Sequence, residues 1–100
     1  MIIRGTTPTI KFTFKTVDPQ QIVTAYLTMK QGELVIEKTL ADGTVGENYI
    51  EWQLSQAETV SLDDDENINI QCRYKLADSA AYASKIYSVP PYDILKDGVI

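Results

Sequence analysis

Ile68-Asn69-Ile70-Gln71-Cys72-Arg73-Tyr74-Lys75-Leu76 is the stretch on which the fold turns. Every second residue from Ile68 onward carries an apolar or aromatic side chain, and every residue between is polar. A period of two belongs to an extended chain, so this run predicts a strand with one face in a core and the other in water. The same period recurs upstream, where Ile50, Trp52 and Leu54 alternate with Glu51 and Gln53 and predict a strand over Asn48 to Leu54. Between the two lies Ser55-Gln56-Ala57-Glu58, an S-x-x-E capping box: the serine oxygen accepts a first-turn N–H while the glutamate reaches back. It predicts one short helical turn near residues 56–62, ended by the acidic run Asp63-Asp64-Asp65-Glu66. Downstream, Asp78-Ser79 marks a turn and Ala83 to Val89 a further strand, with Ile86 and the Tyr87/Val89 pair both candidates for its inward face.

Toward the amino terminus the pattern continues. Ile10, Phe12 and Phe14 alternate with Lys11, Thr13 and Lys15 in a segment from Thr9 to Val17, which Asp18-Pro19 ends because proline cannot donate to a ladder. Ile22 to Lys30 offers Val23, Ala25, Leu27 and Met29 to the core. Gln31-Gly32 then forms a two-residue hairpin turn, and a strand returns from Glu33 to Leu40. Asp42-Gly43 and Gly46 mark the next loop. Short strands at this spacing, with one helical turn and no βαβ rhythm, predict an all-β fold. The expected form is an immunoglobulin-like antiparallel β-sandwich of six to seven strands. Residues 1–91 make the sandwich domain, and after Pro90-Pro91 the segment 92–100 is a C-terminal tail. Phe12, Phe14, Leu27, Trp52, Ile70 and Cys72 are expected to share one buried cluster.

Composition narrows the function. Hydrophobic residues at 44% and charged residues at 23% fit a folded globular domain rather than a disordered tail or a membrane protein. A net charge of −5, with nine Lys and Arg that form no run, argues against nucleic acid as a partner, because phosphate neutralisation needs a basic patch. No apolar stretch approaches the ~20 residues that span a bilayer, and Met1 to Gly5 leads to Pro8 without an apolar signal region, so synthesis in the cytoplasm is expected and no membrane partner. The single cysteine makes no intramolecular disulfide, and Cys72, like Trp52, reads as a core residue.

The chain has no histidine, which removes Ser-His-Asp and Cys-His nucleophiles and histidine metal ligands, and it carries no P-loop, G-x-G-x-x-G or C-x-x-C motif. No catalytic residue, cofactor-binding residue or metal ligand is therefore assigned. The run Asp63 to Glu66 lacks the D-x-D-x-D-G spacing that aims alternate side chains at one Ca²⁺, and reads as a solvated acidic turn. The residues picked out for partner contact are Tyr26 and Tyr49, whose rings fall on the face opposite the core, and Tyr92, Ile94, Leu95, Val99 and Ile100 in the tail.

Four runs carry a resemblance: R-G-T-T-P-T-I-K-F-T-F at Arg4 to Phe14, I-V-T-A-Y-L-T-M-K at Ile22 to Lys30, I-E-W-Q-L-S-Q-A-E-T-V-S-L at Ile50 to Leu62, and the I-x-I-x-C-x-Y strand. In this order they resemble the immunoglobulin-like domain at the amino terminus of the upper-baseplate-protein family of phages of Gram-positive bacteria, and small prophage proteins of similar size. The resemblance spans Arg4 to about Val89, with Asp63 to Asn67 standing where a glycine commonly precedes the last strand. It implies a non-enzymatic assembly component of a phage or prophage tail or baseplate. Its partners would be other virion or assembly proteins, further copies of itself among them. It would be made in the bacterial cytoplasm and end in the virion. The alternative is a carbohydrate-binding or adhesion module that stacks its ligand on Trp52 or on the outward tyrosines.

Overall fold

The alternating segments satisfy their backbone hydrogen bonds in two antiparallel sheets, in a computed structural model that describes residues 2–100. In chain order the first half supplies β1 (Ile2–Ile3), β2 (Thr9–Thr13), β3 (Ile22–Gln31), β4 (Leu34–Thr39), β5 (Thr44–Val45) and β6 (Tyr49–Gln53). The second half supplies α1 (Gln56–Val60), β7 (Ile68–Leu76), β8 (Ala81–Ala83), β9 (Tyr87–Val89) and β10 (Pro91–Tyr92). The large sheet runs β4-β3-β7, with β8 and β9 both paired antiparallel to β7. The small sheet runs β2-β6-β5, and β1 and β10 form a separate parallel pair.

One core lies between the sheets. Leu27, Met29, Ile68, Ile70 and Cys72 face it from the large sheet, and Ile50 and Trp52 from the small one. Trp52 is fully buried, and its Nε1–H donates to the Thr39 carbonyl at 2.9 Å, so the ring's one polar group is satisfied inside. The fold is thus the all-β sandwich expected, with its single helix where the capping box put it: Ser55 Oγ accepts from Glu58 N, and the Glu58 carboxylate accepts from Ser55 N. No helix among the described residues is long and apolar enough to cross a membrane.

Several expectations are corrected. Val23 is 56% exposed rather than buried. Ile22 pairs with Leu76 and Thr24 with Lys75, so Val23 is the extra residue of a β-bulge. The bulge reverses the parity, and Ile22 takes the inward place. The hairpin turn is Gly32-Glu33, one residue later than expected, because Gln31 still pairs with Leu34 and Gly32 supplies the left-handed φ of 58°. Phe12 and Phe14 are half-buried, since β2 is an edge strand with one open flank. They pack edge-on instead, Phe12 against Trp52 and Tyr87, Phe14 against Tyr74.

The strand expected from Ala83 to Val89 is divided into β8 and β9. Ser84 ends β8: its N–H donates to Cys72 O, its hydroxyl accepts from Cys72 N, and the same hydroxyl donates to Lys85 O. A side chain thereby replaces the backbone acceptor that a continuous ladder would use. The inward face of β9 is the Tyr87/Val89 pair, opposite Ile70 and Ile68, while Ile86 is exposed.

Candidate functional site

The tail folds back over the first residues of the chain. β10 pairs with β1, so the division at residues 91/92 falls inside a strand, and Arg4 N–H donates to Tyr92 O at 2.9 Å. The Arg4 guanidinium then reaches four acceptors. Its Nε donates to Leu62 O and its Nη2 to Val60 O, each at 2.7 Å, which occupies carbonyls that the end of α1 leaves without a helical partner. Its Nη1 donates to Asp93 Oδ1 at 2.6 Å and its Nη2 to Asp97 Oδ1 at 3.2 Å. Hydrogen bonding to Ile94 N–H and to Arg4 holds the Asp93 carboxyl below its ordinary range, and the bond to Asp93 in turn raises Arg4.

Two further contacts seat the strap. Gly5 has a φ of 74°, and a Cβ built there would lie 2.7 Å from Ile94 Cδ1, so the bare backbone is what lets Ile94 close over it. Ile100 N–H donates to Gln56 Oε1 at 2.7 Å, at the start of α1. Ile94 is half-buried by this packing, but Leu95 is fully exposed and Ile100 is 89% exposed, with Val99 and Tyr92 also open to solvent. The strap therefore has a built anchor and an unburied apolar edge.

The expected contact residues do not form one site. Tyr92, Ile94, Leu95, Val99 and Ile100 come together on the strap. Tyr26 lies on the outer face of the large sheet, opposite Arg73. Tyr49 lies on the outer face of the small sheet, opposite Thr13, with Lys11 Nζ 4.2 Å above its ring. A groove of about 510 Å³ opens between the edges β2 and β9, lined by Ile2, Ile10, Phe12, Ile70, Tyr87 and Val89.

Two residues that organise this end of the molecule were not picked out as site residues from the sequence: Arg4, which opens the first of the four runs, and Gln31, which lies outside all of them. Gln31 is buried at the end of β3, where its Nε2 donates to Asp63 O at 2.6 Å and to Glu66 O at 2.8 Å, and its Oε1 accepts from Asp63 N at 2.6 Å. This clamp fixes the acidic loop against the β3–β4 hairpin. The loop is exposed, as a solvated turn should be, yet the Asp63, Asp64 and Asp65 carboxylates lie within 4.8 Å of one another. Repulsion from Asp65, then desolvation, raises Asp64 above its ordinary value. Elsewhere, burial pushes the Cys72 thiol up to about 11, which leaves it protonated and inert at neutral pH.

No family model matches this chain, and neither a curated protein nor a solved structure matches it.

Proposed function

We propose that this chain is a non-enzymatic structural component of a phage or prophage tail or baseplate, acting through protein–protein contacts. The observation that carries the reading is the strap: Arg4 binds its Asp93 and Asp97 and ties them to the end of α1, and the strap nevertheless holds Leu95, Val99 and Ile100 out in water. A segment that served only as core cover would turn those side chains inward, and an idle tail would more often carry polar residues there. The four sequence runs quoted above add the virion context. The carbohydrate-binding alternative is weakened by the buried position of Trp52 and by the placement of Tyr26 and Tyr49 on different sheets.

The test is incorporation. A tagged full-length chain and one ending at Tyr92 are produced in the host strain during particle production, and particles are purified on a density gradient. The full-length chain is expected in the tail-containing fractions and the shortened one at least about tenfold depleted from them, with both folded as judged by thermal melts. Absence of the full-length chain from particles overturns the reading.

A further inference from the structure

The large sheet presents a basic outer face on a chain whose net charge is −5. Its strand register sets Thr24 opposite Lys75 and Tyr26 opposite Arg73, all pointing away from the core. Beside them a shallow recess of about 200 Å³ is lined by Thr24, Tyr26, Arg73, Lys75, Ala81 and Tyr82 among others, and none of its lining residues is acidic. Among the described residues neither Arg73 nor Lys75 has a carboxylate within 4.0 Å; the ion pairs are those of Arg4 and Lys38.

The opposite charge is concentrated at one end of the molecule. Asp63, Asp64 and Asp65 hold three carboxylates within 4.8 Å, and the Gln31 clamp fixes the backbone that carries them. Arg4, a cation at this end, is committed to Asp93 and Asp97. The loop does not reach the recess of its own chain: Arg73 lies five residues along β7 from Ile68, roughly 17 Å at the rise of a strand.

We infer that the recess receives the Asp63–Glu66 loop of a second copy of this chain, so that copies join head to tail. The inference rests on the assembly reading above and names its partner. Charge complementarity carries it: Arg73 and Lys75, two residues apart on one strand and so roughly 7 Å apart, face a compact group of three carboxylates, and a guanidinium takes a carboxylate in two parallel hydrogen bonds. The ring of Tyr26, exposed in the single chain and on the same outer face as Arg73, flanks the contact and excludes water from it. Because the contact joins a face to a different surface, it is heterologous, and it propagates rather than closing as a two-fold dimer does.

Sedimentation velocity at about 20 mM and about 500 mM salt tests this on the full chain. The wild-type chain is expected to associate at low salt and to dissociate at high salt. Arg73→Glu/Lys75→Glu and Asp64→Lys/Asp65→Lys are each expected to weaken self-association at least about tenfold while leaving thermal melts unchanged, all four positions being exposed. Should either pair perturb folding, Arg73→Gln with Lys75→Gln and Asp64→Asn with Asp65→Asn serve in its place. Mixing the two variants is decisive. In the mixture the native loop of one variant meets the native recess of the other, and the reversed recess is complementary to the reversed loop, so the mixture recovers the association that each variant alone has lost. A wild-type chain that stays monomeric at low salt, or a mixture that stays monomeric, overturns the head-to-tail contact. A strict monomer that still enters particles overturns this contact alone and leaves the assembly reading standing.

Discussion

Gln31 is the residue whose replacement tests the account most sharply. Its amide makes three hydrogen bonds of 2.6 to 2.8 Å to the main chain of the acidic loop, from a position only 6% exposed. At about 1 kcal/mol net per neutral bond, Gln31→Ala is expected to remove about 3 kcal/mol. The side-chain entropy released on truncation, about 1–2 kcal/mol, offsets part of this. The unpaired Asp63 and Glu66 backbone groups add to it wherever water does not replace the lost amide. A net loss of about 2–4 kcal/mol is therefore predicted, a large fraction of what holds a chain of this size folded. Gln31→Glu sharpens the test, because it keeps the shape but aims a carboxylate at two carbonyl oxygens and sets it beside the acidic loop. That arrangement raises the folded-state pKa of the new carboxyl, so its penalty is largest above that pKa and shrinks as pH falls through it. Urea melts of both variants between pH 4 and pH 7 measure each effect. A loss below about 0.5 kcal/mol for Gln31→Ala, or a Gln31→Glu penalty independent of pH, would refute the clamp.

Other expectations concern the core, the bulge, the thiol and the strap. Trp52→Phe is expected to lose about 2–3 kcal/mol in denaturant melts, from the cavity left by the smaller ring and the orphaned Thr39 carbonyl; a loss under 1 kcal/mol would mean that Trp52 is not tightly packed. Val23→Thr at the bulge should change stability by less than about 0.5 kcal/mol, whereas a cost near 1.5 kcal/mol would return Val23 to the core. Cys72, buried and with its pKa pushed to about 11, should resist alkylation in the native chain at pH 8 and react once urea unfolds it; native labelling at the rate of a free thiol contradicts its burial. Asp93 has a lowered pKa in the folded chain, so its contribution is present above the unfolded value of about 3.9 and is lost as pH falls through the folded one. Protection of the Ile100 amide, relative to the unfolded chain at the same pH, should accordingly fall below about pH 4, and Arg4→Gln should lower it at neutral pH as well; protection unchanged by both would show that Arg4 does not hold the strap.

Strict alternation made β6 and β7 legible in the sequence, and the capping box located α1 to within two residues. The departures have local causes that a period-two reading passes over. At Val23 one inserted residue reverses the parity of everything before it, and a pattern that counts by twos carries no mark of where an extra residue falls. At Ser84 a hydroxyl substitutes for a backbone acceptor and divides a strand whose composition does not change. The β1–β10 pair joins two-residue segments nearly ninety positions apart, too short for any period to register. Of the candidate contact residues, the strap group was legible as apolar residues beyond a Pro-Pro stop, whereas its anchor was not, because one arginine and two aspartates look like ordinary surface charge until the chain folds. Gln31 did leave a trace: it continues the inward series Leu27, Met29 and Gln31, and a polar residue in that series is one that must find buried partners.

The parallel pairing of β1 with β10 also sets how the domain bears a load. A pull applied at Ile2 and Ile100 in opposite directions runs along these two strands, so the Ile2–Pro90 and Arg4–Tyr92 backbone bonds are strained together in shear rather than peeled apart in turn. The guanidinium of Arg4 bridges the same junction and ties it to the end of α1, so the force spreads into the helix before either sheet is touched. Once the Ile100–Gln56 bond has parted, tension along the chain therefore reaches this sheared junction before it reaches the sheets of the sandwich.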